Sequence, residues 1–131
     1  MQTQTVIYKL WGKVRHGDKR GRTLGYPTAN IDLHRSDIAA GVYVATTIVQ
    51  EKSYESIVFI GPAKTFGNTQ WRIESHIFNF DANIYGEYVK VHMHKKIRGN
   101  KRFDSIEELV DQIKKDCAAA KAYFIQVGEI Q

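Results

Sequence analysis

Cysteine and long apolar runs are scarce in this chain of 131 residues. Its one cysteine, Cys117, has no partner within the chain for a disulfide, which is typical of a protein from a reducing compartment. No apolar run approaches the roughly 18 residues of a transmembrane helix, and Met1–Thr5 lacks the basic and then apolar pattern of a secretory signal. We therefore expect a cytoplasmic protein with a single domain over residues 1–131, in which Cys117 is a buried thiol.

The charge balance is basic, with 19 Lys and Arg residues against 14 Asp and Glu residues and a net charge of +5. The cations are concentrated in two short segments, residues 13–22 and 90–102. A basic chain attracts polyanions such as nucleic acid, but two basic segments can equally line one site for a small phosphorylated ligand. Charge alone leaves both interpretations open.

Alternating apolar residues predict an antiparallel β protein. We predict strands at 5–14, 41–49, 54–60, 71–80 and 88–94, with a long polar connection over 15–40 and a loop after Gly61-Pro62. A helical period then runs over 106–124 and begins at Ser105-Ile106-Glu107-Glu108, the pattern of a capping box. Five or six short strands and one terminal helix favour a small antiparallel barrel that is closed or nearly closed.

Residues 12–30 combine four glycines and five cations and end in Pro27-Thr28-Ala29-Asn30. Glycine lets a backbone approach a ligand, and successive N–H groups in tight turns bind anions. The segment is neither a Walker A loop nor a dinucleotide fingerprint, because it lacks the Gly-Lys-Ser/Thr ending and a βαβ unit. The Thr28 hydroxyl and the Asn30 amide offer hard oxygen ligands for Mg²⁺. A phosphate or metal site and a plain basic surface loop both remain open.

Glu74 lies in the middle of a predicted strand among apolar neighbours. It is a general base beside an apolar pocket, an exposed carboxylate on a solvated strand face, or a partner for Arg72. His76 follows on the same face and is either a core histidine or part of a site. His92 and His94 share one face of the last strand, but no third metal ligand is apparent, so a solvated face is favoured.

The stretch from Gly12 to Asn30 resembles the nucleotide loop of the riboflavin kinase (flavokinase) family. The similarity continues in the order of that family through Gly41-Val-Tyr, Glu74-Ser-His-Ile-Phe-Asn-Phe, Ile84-Tyr-Gly and Phe103-Asp-Ser-Ile-Glu-Glu-Leu. It covers essentially residues 6–124, and the motif Gly-Tyr-Pro-Thr-Ala-Asn is specific.

The resemblance implies a six-stranded antiparallel Greek-key barrel with one C-terminal helix. It also implies transfer of the ATP γ-phosphoryl group to the 5′-hydroxyl of riboflavin, giving FMN and ADP with Mg²⁺ as cofactor. Thr28 and Asn30 match the Mg²⁺ ligands of the family, and Glu74 matches its catalytic base. The nucleotide-binding residues that match are Gly17, Lys19, Arg20, Gly21, Arg22, Leu24, Gly25, Tyr26, Pro27, Thr28, Asn30 and Tyr85. The matching flavin-binding residues are Arg98, Phe103 and Leu109.

The partners that the resemblance implies are the small molecules ATP and riboflavin. We expect a monomer that binds neither nucleic acid nor a membrane. Many bacterial relatives carry an adenylyltransferase domain as well, so the chain is expected to be a stand-alone kinase or an excised kinase half. Two other functions remain open: a small basic barrel that binds single-stranded nucleic acid, and a flavin-binding module that lost catalysis through its differences at Asn79 and Asn100.

Overall fold

The computed structural model describes residues 5–16, 25–65 and 68–130. The strands are β1 (Tyr8–Lys13), β2 (Ala29–Asp32), β3 (Gly41–Val49), β4 (Lys52–Thr65), β5 (Asn68–Ile77) and β6 (Tyr88–Arg98), and the helix is α1 (Ile106–Ile130). All neighbouring strands are antiparallel, in the order β1-β6-β3-β4-β5-β2. Within these residues, no helix is both long and apolar enough to cross a bilayer.

The two outermost strands, β1 and β2, approach each other and nearly close the sheet into a barrel. The Arg15 N–H group donates a hydrogen bond to the Asn30 carbonyl at 2.8 Å. Gly12 makes the approach possible, because a Cβ atom at this position would lie 2.3 Å from Ile31 Cγ2. The predicted mainly-β barrel with six antiparallel strands and one C-terminal helix is confirmed.

Three hydroxyl groups lie in the largely apolar interior of the barrel and satisfy one another. Alternate residues of all six strands point inward and form one buried cluster that includes Leu10, Ile31, Ala45, Val58, Ile73 and Val91. Within it, Thr47 Oγ1 lies 2.9 Å from Ser56 Oγ and 2.7 Å from Ser75 Oγ. The Ser56 hydroxyl also donates to the Ala45 carbonyl at 3.0 Å, so these buried polar groups have partners.

Helix α1 covers part of the outer face of the barrel. The buried side chains of the helix and sheet that form this second cluster are Val42, Val44, Ile57, Phe78, Ile113, Cys117, Ala120 and Phe124. Burial raises the pKa of the Cys117 thiol, as expected for the predicted buried cysteine. The helix begins with the predicted cap, in which Ser105 Oγ accepts the Glu108 N–H at 3.1 Å. It ends at Ile130, six residues beyond the prediction.

Strand β2 lies inside the segment that was predicted to be a long connection. It has only four residues, and a proline precedes it closely, so its local pattern is that of a turn. Its stability comes instead from antiparallel pairing with β5, where Ala29 to Asp32 oppose Ser75 to Arg72. A short strand of this kind depends on tertiary pairing and cannot be read from local periodicity.

The predicted break at Gly61-Pro62 is wrong, because β4 continues through it to Thr65. Pro62 pairs with Trp71, whose carbonyl accepts a hydrogen bond from Leu33 on the opposite side at 2.9 Å. The Pro62–Trp71 pair is therefore a non-hydrogen-bonded one, and the proline nitrogen faces away from β5. Strand β3 pairs with β4 only as far as Ile60, so the proline interrupts no ladder there.

His94 is buried, with 5% of its surface exposed, so the solvated face that was predicted for it is wrong. The outer face of β6 is covered at this point by α1, whose Tyr123 and Phe124 rings contact the imidazole. His94 Nδ1 donates to the Thr5 carbonyl at 2.7 Å, and Nε2 lies 2.7 Å from Thr46 Oγ1. Among the described residues, no group of three or more His, Cys, Asp and Glu side chains could hold a metal ion.

Candidate functional site

One row of residues crosses the outer face of the barrel and joins several of the predicted site residues. Asn30 of β2 pairs with Glu74 of β5, and Glu74 pairs on its other side with Phe59 of β4. Phe59 in turn pairs with Val42 of β3, which pairs with Arg98 at the end of β6. Directly opposed residues share one face of a sheet, so the row runs from the predicted nucleotide side to the predicted flavin side.

The predicted Mg²⁺ ligands lie where the chain enters β2, with Thr28 in the preceding turn and Asn30 in the strand. Gly25 has a φ of 88°, a left-handed conformation that glycine adopts without strain. The Asn30 side chain is buried, and its Nδ2 atom lies 3.4 Å from the Thr28 carbonyl, which directs Oδ1 away from that carbonyl. The Pro27 carbonyl, next to Thr28, lies 2.9 Å from His76 Nδ1.

The oxygen atoms of Thr28 and Asn30 suit Mg²⁺, a hard cation that prefers oxygen ligands and is commonly shared with substrate phosphates. Both side chains are neutral, so on their own they offer little electrostatic attraction for a free cation. The donor set therefore fits a metal ion that is bound together with the phosphates of a nucleotide. Glu74, paired directly with Asn30, is the nearest carboxylate along the row.

A cleft of about 280 Å³ opens beside these two residues. Three segments line it, residues 14–16, 27–30 and 80–85, together with Ser75 and Ile77. At its rim, the rings of His16 and Tyr85 stack with their centroids 3.7 Å apart. Tyr85, a predicted nucleotide-binding residue, is thus brought to the same cleft as Thr28 and Asn30.

Two arginines converge on one carboxylate next to this cleft. Arg15 NH1 donates to both Asp32 oxygens at 3.0 and 2.8 Å, and Arg72 Nε lies 2.9 Å from Asp32 Oδ1. Arg72 therefore forms an ion pair with Asp32, its cross-strand neighbour. The Arg15 side chain is half exposed at the edge of the cleft, where it adds positive charge.

The predicted flavin-binding residues lie at the other end of the row. The Arg98 guanidinium is anchored to Asp116 of α1, which is 1% exposed, through contacts of 3.0, 3.1 and 2.8 Å. The same guanidinium lies over the Phe103 ring, 5.8 Å from its centroid. Leu109 packs against the outer cluster near the start of α1.

Six of the predicted nucleotide-binding residues lie outside the described part of the chain. They are Gly17, Lys19, Arg20, Gly21, Arg22 and Leu24. The described members of this set, Gly25 to Thr28 with Asn30 and Tyr85, lie in the turn before β2 or at the cleft.

Phe59 joins the site without having been named from the sequence, and His76, for which a core position and a site position were both open, joins it as well. Phe59 lies next to Glu74 and is half buried, which gives the carboxylate an apolar neighbour. His76 contacts the turn before β2 through its ring nitrogen. The motif containing Glu74 drew attention to His76, but nothing local could indicate that its partner is a carbonyl 49 residues earlier.

Residues 5–124 match the sequence profile of the family described as Flavokinase, riboflavin kinase. Among curated relatives, the bifunctional riboflavin kinase/FMN adenylyltransferase of Bacillus subtilis is 41% identical over 122 residues, covering 89% of this chain and 39% of that protein. The protein of the same name from Haemophilus influenzae is 40% identical over 119 residues, with the same two coverages. The trifunctional protein RibF/MnmA of Mycoplasmoides gallisepticum is 43% identical over 119 residues, covering 89% of this chain but 18% of that protein. The chain thus spans 18–39% of these curated relatives.

Two solved structures resemble the fold. The riboflavin kinase of Trypanosoma brucei superposes with a TM-score of 0.63 at 27% identity, covering 92% of this chain and 83% of that one. A Streptococcus pneumoniae protein described as a macrolide-efflux protein superposes with a TM-score of 0.78 at 41% identity, covering 86% of this chain and 38% of that one. The efflux description applies to the whole of that protein, and the match covers 38% of it.

Proposed function

Because this chain belongs to the riboflavin kinase family, we propose that it transfers the γ-phosphoryl group of ATP to the 5′-hydroxyl of riboflavin. The products are FMN and ADP. The observation that carries the proposal is the direct pairing of Asn30 with Glu74 on the outer face of the barrel. Opposed side chains start about 5 Å apart, so a nucleotide ligand and a base lie within reach of one reacting phosphoryl group.

Thr28 and Asn30 would hold the metal ion on the nucleotide side. When bound, Mg²⁺ neutralises charge on the phosphate oxygens and orients them for in-line attack. Arg15 adds a positive charge at the edge of the same cleft. Gly17, Gly21 and Gly25, with Lys19, Arg20 and Arg22, would bind the phosphates, since glycine-rich backbone and cations suit anions.

Glu74 would act as the general base. Its carboxylate takes the proton from the riboflavin 5′-hydroxyl while the O5′ oxygen forms a bond to the γ-phosphorus. The bond between that phosphorus and the bridging oxygen breaks, and its electron pair leaves with ADP. The Phe59 ring on the other side of Glu74 limits access of water, so attack by water on ATP is disfavoured.

Riboflavin would lie at the Arg98 end of the row. Phe59, Phe103 and Leu109 offer apolar surface to the isoalloxazine ring, which is planar and favours contacts with flat or apolar side chains. The anchoring of Arg98 to Asp116 fixes the start of the loop that holds Phe103. Arg98 therefore organises this end of the site by fixing the loop against α1.

We further propose that ATP and riboflavin are the partners and that Mg²⁺ is the cofactor. Residues 1–131 would form one kinase domain, which would work in the cytoplasm as a monomer and bind neither nucleic acid nor a membrane. The single cysteine, which is buried, agrees with a reducing compartment.

The test is to incubate the protein with riboflavin, ATP and Mg²⁺ and to separate the flavins by chromatography. We expect FMN to form only when all three are present. Absence of FMN from the complete mixture, with folded protein and bound nucleotide demonstrated separately, would reject the proposed function.

A further inference from the structure

The turn that carries Thr28 is held to strand β5 beyond the end of their sheet pairing. The β2–β5 ladder ends at the pair Ala29–Ser75, so the preceding residues have no partner in it. His76, the next residue of β5, continues the attachment through its side chain, with Nδ1 2.9 Å from the Pro27 carbonyl. The His76 side chain thus supplies the hydrogen bond that a further backbone pair between β2 and β5 would otherwise supply.

The chemistry of this contact fixes which atom donates. A carbonyl oxygen can only accept, so His76 Nδ1 carries the hydrogen and donates it. The ring orientation is supported by two edge contacts, with the Tyr26 ring at 5.4 Å and 74° and with the Phe78 ring at 5.7 Å and 75°. His76 therefore contacts both the turn and the outer cluster under α1.

We propose that His76 is a positioning residue of the nucleotide site, which holds the Pro27 carbonyl so that Thr28 stays beside Asn30 and Glu74. The inference rests on the proposed function, since it deepens the role of the same site. Proline fixes φ at residue 27, and the His76 bond fixes the direction of the following peptide group. Together they restrict where the Thr28 hydroxyl can lie, which matters because ligand oxygens must be placed before the phosphates arrive.

Three variants separate the Nδ1 bond from the ring and from Nε2. His76→Phe keeps the ring contacts with Tyr26 and Phe78 but has no donor. His76→Asn places an amide N–H close to the position of Nδ1, and His76→Gln places one close to the position of Nε2. The measurements are the dissociation constant of Mg²⁺-ADP by calorimetry, that of riboflavin by fluorescence, and KM and kcat for both substrates.

We expect His76→Phe to weaken Mg²⁺-ADP binding about five- to tenfold, the effect of one lost hydrogen bond, and to raise KM for ATP in parallel. His76→Asn should restore binding to within about twofold of wild type, whereas His76→Gln should behave like the Phe variant. Riboflavin binding should be the same in all four proteins. The ¹⁵N chemical shifts of the wild-type imidazole should show a hydrogen on Nδ1.

Three results would overturn the proposal. The first is Mg²⁺-ADP binding by His76→Phe that equals wild type. The second is rescue by Gln and not by Asn, because the acting atom would then be Nε2. The third is an equal loss of riboflavin and nucleotide binding, which indicates a general folding role. A wild-type protein that binds Mg²⁺-ADP but makes no FMN would reject the proposed function, while the binding comparison would still decide the role of His76.

Discussion

Glu74 separates two chemically different neighbours on the outer face of the barrel. Asn30, on one side, is a buried polar residue that borders the cleft, and Phe59, on the other, is an apolar ring. A carboxylate between these two surfaces can meet a hydroxyl that arrives from the apolar side and a phosphoryl group that arrives from the polar side. This position, together with its carboxylate, suits Glu74 to the role of general base that we propose for it.

Replacing Glu74 by Gln should lower kcat by about 10² to 10⁴-fold, the usual contribution of a general base. The amide keeps the size of the side chain but cannot accept the proton, so binding of Mg²⁺-ADP and riboflavin should be retained. Steady-state kinetics together with both binding constants check this. Glu55→Gln, at an exposed strand position, is the matched control and should have wild-type kcat. A Glu74→Gln enzyme with near wild-type kcat would remove Glu74 from the mechanism.

Thr28→Ala and Asn30→Ala should each raise the Mg²⁺ concentration needed for half-maximal rate by roughly tenfold, because each removes one oxygen ligand. Thr28→Ser retains a hydroxyl and serves as the control, with a Mg²⁺ dependence close to that of wild type. The measurement is the rate as a function of Mg²⁺ at constant ATP. Unchanged Mg²⁺ dependence in both alanine variants would show that the metal is held elsewhere.

At the level of elements, the ion pair between Arg98 and Asp116 joins the end of β6 to the middle of α1. Asp116 accepts three hydrogen-bond contacts from Arg98 and a fourth from Gln112, whose Nε2 lies 3.0 Å from Oδ1. The helix is thus attached to the sheet by a buried polar contact as well as by its apolar face. This attachment fixes the helix start, where Leu109 lies, relative to Arg98.

Asp116→Asn should lower the free energy of unfolding by about 3 kcal/mol, since it leaves the partly buried Arg98 charge without its counter-ion. KM for riboflavin should rise more than KM for ATP, because the affected elements border the proposed flavin side. Chemical denaturation and steady-state kinetics are the measurements. Asp111→Asn, on the exposed face of the same helix, should change neither quantity. Equal effects of the two substitutions would contradict a special role for Asp116.

At the level of the whole molecule, the sequence predicted the barrel and the helix correctly because their periodicities are long and regular. The sequence missed strand β2 and the continuation of β4 past Pro62. Both depend on the neighbouring strand to which each backbone N–H or carbonyl group is directed. The site motifs were recognisable through family resemblance. The direct pairing of Asn30 with Glu74 could not be predicted, because it depends on the register between two strands that are distant in sequence. The contact of His76 with Pro27 could not be predicted for the same reason.

The pH dependence of stability should reflect the histidines on the outer face of β6. Burial lowers the pKa of His94 below its ordinary value of 6.5, and burial with the nearby Lys9, His94 and Lys90 charges lowers the pKa of His92. The unfolded chain therefore binds more protons below pH 6.5, so the free energy of unfolding should fall as the pH decreases through and below this value. Denaturation curves at several pH values check the slope.

His94→Gln should reduce this slope, because the variant cannot take up the proton at that position. It should also be less stable than wild type at pH 8, since it loses the contact with Thr5. A wild-type stability that is constant between pH 7 and 5, or an unchanged slope in His94→Gln, would show that His94 is not a source of the pH dependence.

We propose that one row across the barrel brings ATP and riboflavin together for direct phosphoryl transfer, with Glu74 as base. This can be measured by ³¹P NMR of a mixture of the protein, riboflavin, ATP and Mg²⁺, followed in parallel for wild type and Glu74→Gln. Wild type should form the FMN phosphomonoester and ADP in equal amounts, without inorganic phosphate, and the variant should form neither at a comparable rate. ADP with inorganic phosphate and no FMN, or equal FMN formation by the two proteins, would rule out direct transfer with Glu74 as base.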